Sequence, residues 1–433
     1  MYSMRRFGIK LGLDLIAGIL KELKNPQNKY KTIHIAGTNG KGSIASGLAS
    51  ILECAGYKTG LYTSPHLIKF NERISVNKID ITDDHVVKAY EAVKNSCQHA
   101  DREPTFFEFS TAMAFYEFGL QKVNAAVIET GMGGRLDATN LISPQLSVIS
   151  NISVEHRTYL GNTIAKIAYE KGGIIKENTP VITGAKQKNA LLTFEKLAKQ
   201  KNAPLYIYGK DFSVKRDRKK GTFKYYGIYN QVFEDMRTNL IGNYQIDNAA
   251  LVIAACEILN KKNIFEISPE HIKEGLEKHT WAGRLERVFI KKNEESKSPE
   301  VEIILDGAHN LAAAKNLACF LKENNHKKIT TIIGILDDKP YKAILKALVS
   351  ASDKALFAMP EIERAIKPDI LLKEAEKIAR PQQELSAFPS IKEALNYALK
   401  TSRKNEIICI SGSLYTIGEA KAAIKNFKID YRF

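Results

Sequence analysis

The chain has 433 residues, 44% hydrophobic and 26% charged, with 64 basic against 48 acidic side chains and a formal charge of +16. That balance excludes disordered, collagenous and disulfide-scaffold classes and leaves room for two or three cores, with two domains as the default. The positive excess points either to an anionic partner or to lysines spread over solvated helix faces.

Met1 to Lys10 lacks an apolar signal core, and Asp14 interrupts the apolar run that follows. No stretch is long enough to cross a bilayer, so a soluble, cytoplasmic protein is expected. Residues 32–36, Thr-Ile-His-Ile-Ala, read as a buried strand. They lead into Gly37-Thr38-Asn39-Gly40-Lys41-Gly42-Ser43 and then an apolar helix. Strand, glycine turn, lysine and helix N-terminus together make a phosphate cradle, because glycine admits positive φ and the inward N–H groups and ammonium attract an anion. Gly42 stands where the common nucleotide loop has Ser or Thr, so the hydroxyl suited to magnesium comes one residue later, on Ser43.

Thr63-Ser64-Pro65-His66-Leu67 follows another short strand. Ser64 can ligate a metal there, while His66 reads as a ligand or simply as a surface residue. Residues 125–129 and 147–151 have the uniform apolarity of parallel strands. Glu129 ends the first, beside the glycine-rich turn 130–137, where a carboxylate suits magnesium or caps nearby N–H groups. Glu155-His156 follows the second. Lys171, at the end of a helix, is a solvated residue unless its amine reacts with carbon dioxide to give an anionic carbamate ligand.

The basic run 215–220 sits in an expected hairpin between Phe212 and residues 223–226, most simply a solvated turn, so nucleic acid is a weak inference. Residues 242–250, Gly-Asn-Tyr-Gln-Ile-Asp-Asn-Ala-Ala, open a helix with amides able to pair with a base edge, of which Asn248 is one. Arg284 follows in Trp-Ala-Gly-Arg-Leu-Glu. The polar stretch between Ile290 and Pro299 reads as a linker. Beyond it, strands at 302–305, 330–335, 355–358 and 407–410 alternate with helices at 311–323, 341–349, about 370–379 and from about 417, which argues for a smaller doubly wound domain. Asp306 with His309, and Ser413, end two of its strands, at the edge where ligands collect. The five cysteines, Cys54, Cys97, Cys256, Cys319 and Cys409, show no paired spacing and fit reduced thiols.

Taken in order, residues 37–43, Ser64-Pro65-His66, 131–137, His156, 170–176, Gly283-Arg284, 306–310 and 412–415 resemble the dihydrofolate synthase/folylpolyglutamate synthase family of the Mur ligase superfamily. The likeness runs from about Phe7 to the C-terminus. It implies an α/β protein with a P-loop NTPase-like ATP-binding domain over 1–286, a linker over 287–300 and a smaller Rossmann-like glutamate ligase domain over 301–433. The implied reaction is ATP-dependent attachment of L-glutamate to dihydropteroate and folates through an acyl phosphate. The nearest alternative is a folylpolyglutamate synthase without the first activity. A cell-wall ligase of the same superfamily or a nucleotide-dependent nucleic-acid-binding protein stands further off. The partners implied are small molecules, with no nucleic acid or membrane, and a monomer is expected.

By the same resemblance Lys41 meets the β and γ phosphates, and Ser43 supports the loop and metal region. Ser64 with Glu129 holds a first magnesium ion, and His156 with a carbamylated Lys171 a second. Asn248, Arg284 and Asp306 match positions around the nucleotide, His309 and Ser413 positions near the incoming glutamate. Lys41, Lys171 and His309 are thus the expected catalytic groups. Phe106 and Phe107 lie where bifunctional relatives have an aromatic segment near the pteridine pocket, or else are core residues before a helix starting near Phe109. Glu155 stands where the family commonly has Asp, Gly172 where it has Ala, and 215–220 matches no family motif.

Overall fold

Strand β1 (Lys31–Ala36) is buried over its last five residues and pairs in parallel on both sides, with β5 (Ala125–Glu129) and β6 (Leu146–Ile149). The protein is described by a computed structural model covering residues 12–98, 102–290, 301–324, 327–403, 406–425 and 429–431. The segment from Met1 to Lys10 lies outside the described residues. Along β5 successive side chains serve opposite faces: Val127 joins Ile33, Leu48 and Val252 in one core, while Ile128 joins Phe109, Met113 and Phe115 in another. A strand covered on both faces must be apolar throughout, which is why these strands read as continuous apolar runs. Each such fully buried aliphatic side chain contributes about 2 kcal/mol of transfer free energy.

The remaining strands of this sheet are β2 (Thr59–Tyr62), β3 (Ile74–Val76), β4 (Ile79–Asp80), β7 (Val181–Thr183) and β8 (Leu205–Ile207), in the order β4-β3-β2-β5-β1-β6-β7-β8. Its antiparallel pairings are β2 with β3 and β3 with β4, so β3 runs against the other seven strands. Because β5 and β6 flank β1, the chain reverses its direction of progress across the sheet at β1, and the loops after β1, β5 and β6 gather at one carboxyl edge. A separate antiparallel sheet follows, of β9 (Ser213–Asp217), β10 (Thr222–Tyr226) and β11 (Val232–Met236); the basic run is the β9–β10 hairpin expected.

The chain divides into two units, one of residues 1–239 and 243–280, the other of residues 240–242 and 281–433. The division falls after Thr280, six residues before the expected boundary. Part of the expected linker is a strand, β12 (Glu286–Ile290), paired antiparallel with β13 (Val301–Leu305); residues 291–300 lie outside the described residues. Alternating Glu286, Val288 and Ile290 are buried, a two-residue period that the lysine-rich stretch after them obscures. The second sheet continues with β14 (Lys328–Ile333), β15 (Lys354–Ala358), β16 (Glu384–Phe388), β17 (Glu406–Ser411) and β18 (Ile429–Tyr431), in the order β16-β15-β14-β17-β13-β12-β18. Here β17 lies between β13 and β14, so the loops after β13 and β17 adjoin. The last helix starts at Leu414 rather than near Ile417, because Ser413 caps it. Among the described residues no helix is long and apolar enough to cross a membrane.

Candidate active site

The loop after β1 is shaped from beneath. Gly37 has φ +140°, and a Cβ there would lie 1.9 Å from Ser150 Oγ; Gly40 has φ +87°, and its Cβ would lie 2.6 Å from Asn248 Oδ1. Both positions therefore need glycine for conformation and for space. The continuation of β6 holds the loop: Thr38 N donates to Asn151 O at 2.9 Å, Asn39 N to Asn151 Oδ1 at 3.1 Å, and Ser150 Oγ to Asn39 O at 2.6 Å. Gly40 is the N-cap of the helix Lys41–Cys54, which points its amino end into the loop. Ser43 is buried, with Gln245 Nε2 3.4 Å from its hydroxyl, and Gln245 Oε1 accepts from Asn248 Nδ2 at 2.8 Å.

Three groups expected to act together converge on this loop. Glu129, at the end of β5, accepts from Ser64 N at 3.2 Å through Oε2 and lies 3.9 Å from Lys41 Nζ through Oε1. Lys171, on the helix Ile164–Gly172, is 1% exposed rather than solvated. Its Nζ donates to Gly37 O at 2.7 Å and to Glu155 Oε1 at 2.8 Å. Burial lowers the Lys171 pKa, as does Lys41, against the opposing pull of Glu155. Burial alone would raise Glu155, but Lys171, Lys41 and His156 bring it down to about 2. His156 is exposed, with φ +45°, at the start of the helix Arg157–Leu160.

The glycine-rich turn after β5 is fixed by Asp137, which accepts from Met132 N at 2.8 Å and Thr139 N at 3.1 Å. Arg135 ties it to the Lys171 helix, its Nη2 lying 3.0 Å from Glu170 Oε1. Phe106 and Phe107 begin the helix Phe106–Leu120, three residues earlier than expected, because Thr105 and Glu108 form a capping box. Phe106 lies edge-on to Phe70, 6.1 Å between centroids, with the Arg73 guanidinium 5.1 Å over its ring; Phe107 packs beside Tyr62. Both phenylalanines are half-buried, neither sealed in the core nor fully exposed.

In the second unit, Asp306 Oδ2 accepts from Leu285 N and Oδ1 from Ala308 N, each at 3.0 Å, while Gly307 N donates to Gly283 O at 2.8 Å. Asp306 thus clamps the turn that carries Arg284. His309 Nδ1 lies 2.8 Å from Gly307 O, and because a carbonyl only accepts, Nδ1 is the donor. Ser413 is 2% exposed, its Oγ accepting from Thr416 N at 3.1 Å as the cap of the helix Leu414–Ile424. Asp306 and Ser413, expected around the nucleotide and near the glutamate, have oxygens that accept from the backbone of two adjoining loops.

A family model for the Mur ligase middle domain matches residues 35–256, and one for the dihydrofolate synthetase C-terminal domain matches residues 287–422. The chain is 37% identical over 445 aligned positions to the dihydrofolate synthase/folylpolyglutamate synthase of Bacillus subtilis, covering 98% of this chain and 97% of that one. The chain belongs to the dihydrofolate synthase/folylpolyglutamate synthase family. It is also 36% identical to the folylpolyglutamate synthase of Lacticaseibacillus casei, over 92% of this chain and 91% of the other. Among solved structures, E. coli FolC in complex with DHPP and ADP aligns with a TM-score of 0.87 at 26% identity, covering 98% of this chain and 95% of that one.

Asn151, expected as the end of a buried strand, holds the phosphate loop through its carbonyl and its side chain; Asp137, expected as part of the glycine-rich turn, fixes that turn. The sequence signal for Asn151 was a polar residue at the end of an apolar run. At the Gly172 departure, a Cβ would lie 2.5 Å from Leu197 Cδ1, so alanine there would require that side chain to turn.

Proposed function

We propose that this chain uses ATP to join L-glutamate both to dihydropteroate and to tetrahydrofolate, acting as a monomer in the cytoplasm on small molecules, without nucleic acid. The observation that carries the site assignment is the convergence of Lys41, Glu129 and Lys171 on the loop 37–43, with Lys171 Nζ 2.7 Å from Gly37 O. A carboxylate resists amide formation because oxide would have to leave. Transfer of the γ-phosphoryl group to the carboxylate oxygen gives an acyl phosphate and ADP. The glutamate amine then attacks the acyl carbon, phosphate departs, and the amine sheds a proton.

In this scheme Lys41 and the amino end of its helix offset charge on the transferring phosphoryl group. Gln245 and Asn248 support the loop and meet the base. Arg284, on the turn clamped by Asp306, is assigned to the nucleotide by the family resemblance. His309 and the Ser413-capped loop serve the glutamate. Phe106 and Phe107 present half-exposed rings to the pteridine.

Glu129, which accepts from Ser64 N and lies 3.9 Å from Lys41 Nζ, and the Ser64 hydroxyl are hard oxygen donors that would suit magnesium held partly by phosphate oxygens, with Ser43 supporting the loop. When bound, that ion draws charge from the transferring group. A second ion would be held by His156 and Lys171, provided Lys171 is carbamylated. Its lowered pKa supports this, because only the neutral amine attacks carbon dioxide.

The test is product mass after incubation with ATP, magnesium and glutamate, in parallel with 7,8-dihydropteroate and with tetrahydrofolate. Glutamate added to both is the expected outcome. Addition to tetrahydrofolate alone makes the protein an elongating synthase, and addition to neither by folded, ADP-binding protein overturns the proposal.

A further inference from the structure

The basic run of the β9–β10 hairpin is not wholly solvated. Along β9, Lys215 and Asp217 are exposed while Arg216 is half-buried, and the register sets Arg216 opposite Phe223 and Val214 opposite Tyr225. Phe223 and Tyr225 are core residues packed with the helix Asn243–Lys261, so the pleat turns Arg216 toward that helix. Its Nη2 donates to Asn243 O at 3.3 Å and pairs with the Asp247 carboxylate. Tyr208, just past β8, donates its hydroxyl to Asp247 Oδ1 at 2.7 Å, and Lys186, just past β7, lies 3.4 Å from Asp247 Oδ2. The Lys186 ammonium also stands over the Tyr208 ring, 5.5 Å from its centroid.

Three separate elements therefore grip one carboxylate. That carboxylate adjoins Asn248 and lies two residues beyond Gln245, the residues that meet Gly40 and Ser43 of the phosphate loop. A rotation or withdrawal of the first helical turn would move both amides together.

We propose that Arg216, Tyr208 and Lys186 are positioning residues for the nucleotide, holding Asp247 so that Gln245 and Asn248 are set against the loop before ATP arrives. The inference rests on the reading that loop 37–43 binds ATP. An isolated pair this exposed would contribute little, but a shared carboxylate with three partners orders one geometry, and groups that orient direct contacts commonly alter affinity about tenfold or more.

The test is calorimetric titration of the full-length protein with MgADP, with thermal unfolding and steady-state kinetics alongside. Arg216→Ala is expected to weaken MgADP about tenfold, Tyr208→Phe about threefold, and Arg216→Lys less than Arg216→Ala. KM for ATP rises, while kcat at saturating ATP and KM for glutamate stay near wild type. Lys215→Ala, the exposed neighbour, binds as wild type. Asp247→Asn discriminates sharply, because loss of a negative charge would by field alone tighten an anionic ligand, whereas loss of the brace weakens it. Unchanged MgADP affinity in Arg216→Ala, or tighter binding in Asp247→Asn, overturns the brace and leaves the ligase reading intact. Should Arg216→Ala fail to fold, Tyr208→Phe and Asp247→Asn decide on the same criteria. Failure of the wild type to bind MgADP overturns the underlying reading itself.

Discussion

Lys171 carries the sharpest chemical question at the scale of single residues. A buried ammonium bonded to Gly37 O and Glu155 is a structural cation, whereas the same nitrogen carbamylated is an anion able to hold magnesium. The two states predict opposite rescues. Lys171→Ala is expected to lower kcat at least about 100-fold, and formate or acetate should restore part of it by replacing the missing carboxylate. Methylamine should not. Steady-state rates with each additive check this, and rescue by methylamine alone would sink the carbamate. His156 is exposed and close enough for its charge to help lower Glu155, so the second cation position draws on one buried and one exposed group.

Among the elements, the helix Phe106–Leu120 links stability to acceptor recognition. Thr105 caps it, accepting from Glu108 N at 3.2 Å, and Glu108 reaches back to Thr105 N at 2.8 Å while pairing with Arg102. The first turn so held is the one that presents Phe106 and Phe107. Thr105→Ala is expected to cost about 1 kcal/mol, seen as a lower urea midpoint with an unchanged slope. Because the frayed turn carries the rings, KM for dihydropteroate should rise severalfold while KM for ATP stays put. An unchanged acceptor KM in a measurably destabilised variant would assign the two phenylalanines to packing alone.

For the whole molecule, acid sensitivity follows from buried groups. His34, bonded to Thr139 Oγ1 at 2.9 Å, and His279, bonded to Ser46 Oγ at 2.7 Å, are both held neutral, their pKa values brought down to about 3 by burial. In the unfolded chain they take up protons near pH 6.5, so the unfolded state binds more protons than the folded one and stability is lost as pH falls through that window. Glu155 adds a second stage. Its folded pKa is depressed to about 2, so its contribution is present above about 4.5 and is lost as pH falls below that value. Asp137 and Glu257, raised by burial, run the other way and blunt the fall once carboxylates titrate. Unfolding free energy is therefore expected to be flat from pH 8 to 7 and to drop by about 1–2 kcal/mol per unit between pH 6.5 and 5.5. Urea titrations at each pH measure it; half the fall would mean that one histidine is hydrated, and a constant midpoint that both are.

By itself the sequence determined the parallel strands β1, β5 and β6, the phosphate loop between β1 and its helix, and the second series of strands and helices. These are local signals: apolar runs fit strands covered on both faces, and glycine is required where φ is positive or a Cβ would strike Ser150 or Asn248. What it left open was which polar atoms already have partners. Asp306 and Ser413 end strands, as the sequence suggests, and the fold adds that their oxygens accept from backbone amides of the loops they carry. Lys171 looked solvated because a lysine at a helix end usually is, and its burial depends on the meeting of the Gly37 and Glu155 loops, remote in sequence from its own helix. Arg216 was one of five basic residues in the run 215–220. The two-residue period of β9 and its register with β10 decided that it alone in that run is half-buried toward the helix carrying Asn248.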